Sequence, residues 1–191
     1  MSQLPTPKTK RLSLSTRFIY LTINHMNILN QLLQIITLQR RPSDIDYSET
    51  ALALAFAAAV CSGYLFAGAF LQVFSEISKV ALTRPPFWLL VIQLLTQSGF
   101  FYLLLKYNNK ENRFVQTATA LFGITALMQL ICFASLQVPQ LLIVTPLAIG
   151  WNIYLMVAVL SQAIECRLGK ALLIIIAYNL TVDQLFALLI T

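Results

Sequence analysis

Phe114-Val115-Gln116-Thr117-Ala118-Thr119-Ala120-Leu121-Phe122-Gly123 opens a stretch that runs on to Gln162-Ala163-Ile164 without one Asp, Glu, Lys, Arg or His. The uncharged run is 51 residues long. As a single helix it would measure roughly 75 Å at about 1.5 Å per residue, more than twice a hydrocarbon core of ~30 Å. It must therefore fold back on itself. Leu136-Gln137-Val138-Pro139-Gln140 is the one plausible turn within it. The spacing predicts two membrane spans, 114–136 and 140–164.

The same reading extends outward in both directions. Glu165-Cys166-Arg167-Leu168-Gly169-Lys170 closes the second of these spans, and an apolar segment, 171–190, follows with Asp183 inside it. Upstream, Lys106-Tyr107-Asn108-Asn109-Lys110-Glu111-Asn112-Arg113 is a short charged turn. Before it, 87–105 forms a span opened by Trp88, with Tyr102 and Tyr107 placed for the interface. A loop holding Glu76, Lys79, Arg84, Pro85 and Pro86 separates that span from 51–74, which is 24 residues without a charge. Ser48 stands where a helix cap is expected, and Glu49 suits the positive end of the helix dipole.

Composition agrees. Of 191 residues, 58% are hydrophobic and 10% charged, where a soluble domain carries about 25% charged residues. A water-soluble chain of this size could not hide so much apolar side chain in one core. The net charge of +6 does not point to nucleic acid, because no basic patch interleaved with aromatics occurs. Basic loops beside membrane spans explain it better. The expected partners are the lipid bilayer and other membrane proteins, or further copies of this chain.

Residues 1–25 are polar and basic, with Pro5 and Pro7, and are expected to be disordered. In 26–41 the apolar residues Ile28, Leu29, Leu32, Leu33, Ile35 and Ile36 recur at helical spacing, with Asn27, Asn30, Gln31, Gln34 and Thr37 between them. That pattern predicts an amphipathic helix with an uncharged polar face, lying at the membrane surface or in a groove against the other helices. Pro42 ends it. The expected fold is an all-α membrane protein, a bundle of about five transmembrane helices preceded by an amphipathic interfacial helix.

Five spans put the amino-terminal segment and the second and fourth loops on one side. Eleven basic residues lie there: Lys8, Lys10, Arg11, Arg17, Arg40, Arg41, Lys106, Lys110, Arg113, Arg167 and Lys170. Only Lys79 and Arg84 lie opposite. The positive-inside rule then predicts a cytoplasmic N-terminus and an outside C-terminus. The acid-free first 43 residues also have the composition of an organellar transit peptide, which makes an organellar membrane the alternative location.

Catalytic parts are missing. There is no H-E-x-x-H, no G-x-S-x-G, no P-loop and no pair of intramembrane carboxylates. His25 is the lone histidine, and Cys61, Cys132 and Cys166 are scattered, so neither a metal site nor a cofactor is expected. Two constellations stand out. Gln93 and Gln97 share one helical face, as do Asn179 and Asp183, and together they form a candidate intramembrane polar site. Ala51, Ala55, Ala59, Gly63 and Ala67 recur every four residues, a small-residue stripe that lets another helix approach closely. Pro146 and Gly150 predict a kink in the fourth span.

Met26-Asn27-Ile28-Leu29, leading to Leu38-Gln39-Arg40-Arg41-Pro42-Ser43-Asp44-Ile45, resembles the opening of small uncharacterised inner-membrane proteins of proteobacteria. The stretch beginning Arg113-Phe114-Val115-Gln116 is similar to the same group. The resemblance runs from Met26 onward and implies a bacterial inner membrane and no particular activity. It also makes Met26 an alternative start, with residues 1–25 an over-called extension. A looser similarity, in span count and hydropathy alone, is to the Yip1-like five-span proteins.

Overall fold

The computed structural model describes residues 30–35, 48–79 and 84–190, with the side chains of residues 183 and 185–190 left out of that description. The expected disordered tail (1–25) and the flanks of the amphipathic segment (26–29 and 36–41) lie outside the described residues.

Every regular element among the described residues is helical. Residues 30–35 form a short helix, α1. Then follow α2 (Glu49–Ser78), α3 (Phe87–Tyr107), α4 (Phe114–Leu136), α5 (Val144–Ala163) and α6 (Leu168–Ile190). Among the described residues, four helices are long and apolar enough to cross a membrane: α2, α3, α5, and α4 with the turn that precedes it. The described side chains of α6 add an apolar run over Leu168–Val182.

Local chemistry sets the helix ends. Ser48 is extended, and its hydroxyl accepts a 3.0 Å bond from the Ala51 amide, satisfying one of the donors a helix start leaves open. Lys79 closes α2 in a left-handed conformation, its N–H donating to the Ser75 carbonyl at 3.0 Å. Pro139 opens a 3₁₀ turn, Pro139–Leu141, which delays α5 to Val144. Pro146 consequently stands in the first turn of α5, where an absent N–H breaks no helical bond. The reason for expecting a kink there is removed.

α4 is the central helix. Its residues from Thr117 to Ile124 are all buried, on every side of the helix. Ala55 and Ala59 of α2 pack against Ala118, Phe122 and Ala126 of α4 in one apolar cluster, and the Phe56 and Phe122 rings meet edge to face at 5.5 Å. Positions rise together along the two helices, so α2 and α4 run parallel, with α3 returning between them. α5 then returns along α4, and the hydroxyls of Ser135 and Thr145 share a 2.7 Å hydrogen bond where the two helices join.

The other end of the bundle is tied by charge. Glu165 pairs with Lys110 at 2.9 Å and with Arg113 at 2.8 Å. Arg113 also reaches the carbonyls of Gln162 and Ala163, each at 3.4 Å, near the end of α5. The α3–α4 and α5–α6 turns therefore share one end.

The described residues 30–35 pack against α4 through Leu32. Gln31, Leu32 and Ile35 are buried, while Leu33 faces outward. Leu32 lies against Gly123, where a Cβ added to the glycine would come within 2.6 Å of Leu32 Cδ1.

Candidate functional site

The small-residue stripe of α2 lies along its buried side. Ala51, Ala55, Ala59 and Gly63 are buried, and Ala67 is half-buried. Beside Gly63, the Ser62 hydroxyl donates a 2.7 Å hydrogen bond to Oε1 of Gln129 in α4. A Cβ on Gly63 would lie 3.2 Å from Nε2 of the same amide. The absent side chain leaves room for the Gln129 amide beside Gly63, where it reaches Ser62.

The candidate polar site is spread over two helices. Gln93 is exposed and Gln97 half-buried on α3, and neither amide takes part in a hydrogen bond among the described residues. Asn179 is exposed on α6, and its Nδ2 donates to the Ile175 carbonyl of its own helix at 3.0 Å. The Asp183 backbone belongs to α6, while its side chain lies outside the described residues. α3 and α6 meet through rings, Tyr178 lying 4.6 Å from Phe100 and 6.2 Å from Phe101. Among the described residues no hydrogen bond joins the amides of α3 to Asn179.

Several other polar side chains within the helices bond their own helix backbone. Thr96 bonds the Ile92 carbonyl, Ser98 that of Leu94, and Thr119 that of Val115. Asn152 is an exception: its Oδ1 is buried with no hydrogen-bond partner among the described residues, and its Nδ2 reaches only the Met156 sulfur, at 4.0 Å.

Charge at the tied end is strongly organised. The Lys110 ammonium and the Arg113 guanidinium, in that order, hold the Glu165 carboxyl below its ordinary value. Toward the other end, Arg84 donates to the Tyr64 carbonyl, and its guanidinium carbon lies 3.7 Å from the centre of the Tyr64 ring. A Cβ on Gly68 would come within 2.5 Å of that guanidinium. Sequence reasoning singled out neither Ser62 nor the Arg84 clip. Gly68, one turn beyond Tyr64, was the available signal for the clip.

Among the described residues no three His, Cys, Asp or Glu side chains gather into a metal-binding group, and all three cysteines are free thiols. No family model, no curated protein and no solved structure matches the chain.

Proposed function

We propose that the chain is a multi-pass, non-enzymatic structural or accessory subunit of a membrane assembly, with five spans, a cytoplasmic N-terminus and an outside C-terminus. A bacterial inner membrane is the location that the sequence resemblance favours. The observation that carries the reading is the contrast between α4 and α3. The small residues of α2 and the amide of Gln129 are spent within the bundle, on α4. On α3 only Phe101 and Leu105 are buried, and the amides of the exposed Gln93 and the half-buried Gln97 make no hydrogen bond among the described residues. Lipid tails offer no hydrogen bond, so amides at that height call for a protein partner. Recovery from native membranes in a mild detergent, read by mass spectrometry, is expected to return a defined complex. A lone monomer at native abundance would remove the basis for this reading.

The buried, unpaired Oδ1 of Asn152 supports a second reading, a small oligomeric transporter or channel. The two readings separate at Asp183. In a structural subunit Asp183→Asn leaves both assembly and function intact, since the amide still bonds. In a transporter using that carboxylate, transport is lost at unchanged abundance.

A further inference from the structure

We infer that the Arg84 guanidinium, clipped to α2 at Tyr64 and Gly68, is a binding site for the phosphate of an anionic phospholipid, at the end of the bundle opposite the tied turns. The site needs only the membrane-spanning helices and goes beyond the assembly-subunit reading.

Its height follows from the packing. Ser62 bonds Gln129, and α4 ends seven residues later at Leu136, so the parallel α2 passes the end of α4 near Ala69. α3 starts at Phe87, whose ring meets that of Tyr64 at 5.6 Å. α5 starts at Val144, beside the Ser135–Thr145 bond. α3, α4 and α5 thus begin or end at the height of Tyr64 to Ala69. From Phe87 to Tyr107, α3 is about 30 Å long at about 1.5 Å per residue, close to a ~30 Å hydrocarbon core. The clip therefore lies at the polar boundary of the membrane, where phosphates are. Trp88, exposed in the first turn of α3, suits the aromatic belt at that boundary.

Chemistry selects the occupant. The guanidinium carbon lies 3.7 Å from the centre of the Tyr64 ring, one Nη donates to the Tyr64 carbonyl, and the bare backbone of Gly68 leaves room beside it. Held in that position, Arg84 is exposed and has donors left over. Among the described residues no carboxylate pairs with it, and both ion pairs are made by Glu165 at the other end. Glu76, the acid on the same arm of α2, stands eight residues beyond Gly68, about 12 Å further along the helix. Leu65 and Phe87, which flank the clip, are apolar and exposed. A free anion would meet the charge and leave those side chains bare. A phospholipid meets both, with a phosphate that accepts from the guanidinium fork and acyl chains that start at the same height. An anionic headgroup fits better than a zwitterionic one, which brings a cation of its own to a site with no acid beside it.

The test uses the full chain in mild detergent, with bound lipid read by native mass spectrometry as phosphatidylglycerol or phosphatidylcholine is added. One phosphatidylglycerol is expected to bind about tenfold more tightly to the unsubstituted chain than to Arg84→Gln, the order of effect for losing hydrogen bonds to a charged group. Phosphatidylcholine is expected to separate the two proteins far less. Lys79→Gln, which removes a charge just outside the clip, is expected to keep the lipid. Equal loss in Lys79→Gln makes the effect one of net charge and overturns the inference, as does an Arg84→Gln protein that binds unchanged. Displacement of the lipid by inorganic phosphate at equal concentration also overturns it, since the acyl chains would then contribute nothing. Should Arg84→Gln fail to fold, phosphatidylglycerol with a photoreactive headgroup decides on the unsubstituted chain in native membranes. Adducts within 64–68 and 84–88 are expected, and adducts confined to the tied end overturn the site. Capture of a second polypeptide, in place of lipid, by a photoreactive residue at position 65 overturns it too.

Discussion

Ser62 and Gln129, 67 residues apart in sequence, join α2 to α4 through a 2.7 Å hydrogen bond beside the bare backbone of Gly63. Two helices in lipid gain no hydrophobic free energy from each other, so close packing and polar contacts of this kind must hold them. The bond needs the small residue next to it, because a larger side chain at Gly63 pushes the amide away.

Replacing Ala59 or Gly63 with Leu is therefore expected to destabilise the bundle by about 1–3 kcal/mol through overpacking. Gly63→Leu should cost more than Ala59→Leu, since it also displaces Gln129. Thermal unfolding in a mild detergent measures both. Unchanged midpoints for the two variants would mean that the stripe does not hold α2 against α4.

The order of helices was legible because their ends are written locally. Ser48, Pro139 and the charged turn after Lys106 each act within a few residues, and the helices begin and end beside them. α2 runs on to Ser78, past the expected limit at 74, because Glu76 on an outward face does not break a helix. Pro146 carries the same lesson: its effect depends on its distance from the helix start, which Pro139 moves to Val144. Pairings between distant residues were not legible. Nothing near Ser62 names Gln129, and nothing near Gly123 names Leu32. The four-residue spacing of Gln93 and Gln97 showed that they share a face without showing what that face meets.

The ion pairs of Glu165 with Lys110 and Arg113 carry a topological consequence. Asn109 and Gly169 flank the tied turns, so they must report the same side of the membrane, which the proposed topology puts in the cytoplasm. Reporter fusions at Asn109 and Gly169 should read cytoplasmic, and fusions at Gln137 and Thr191 outside. A cytoplasmic Thr191 would refute the five-span arrangement.

The same cluster predicts a pH response. The Glu165 carboxyl is held below its ordinary value, first by Lys110 and then by Arg113. A carboxylate depressed in the folded state stabilises fully above its unfolded pKa, about 4.3 for Glu. That contribution is lost as pH falls through the lower folded value. Glu165→Gln should lower the unfolding midpoint at pH 7 and make little difference at strongly acidic pH, where the native carboxyl is protonated too. A gap between the two proteins that persists undiminished into acid would show that the pairing is not its source. Glu165 has a positive φ of 54°, and Gln adopts that conformation no more strained than Glu, so backbone effects cancel in the comparison.

Gly123 offers the sharpest test of the packing of the amino-terminal segment. An added Cβ there would lie 2.6 Å from Cδ1, 2.8 Å from Cδ2 and 3.3 Å from Cγ of Leu32. Rotating the Leu32 side chain relieves the methyl overlaps, but the Cγ contact remains tight, so α1 itself must give. Gly123→Ala is expected to cost about 1–3 kcal/mol, the range for overpacking a filled site. Leu32→Ala alone should also destabilise, because Leu32 is 6% exposed and leaves a gap on α4 when truncated. The double variant separates contact from coincidence. With Leu32 truncated, the new methyl at position 123 enters vacated space, and the double variant should be more stable than the sum of the two losses by about 0.5–3 kcal/mol. Strict additivity in detergent unfolding would mean that residues 30–35 do not rest on α4, and that the central helix is open on that side.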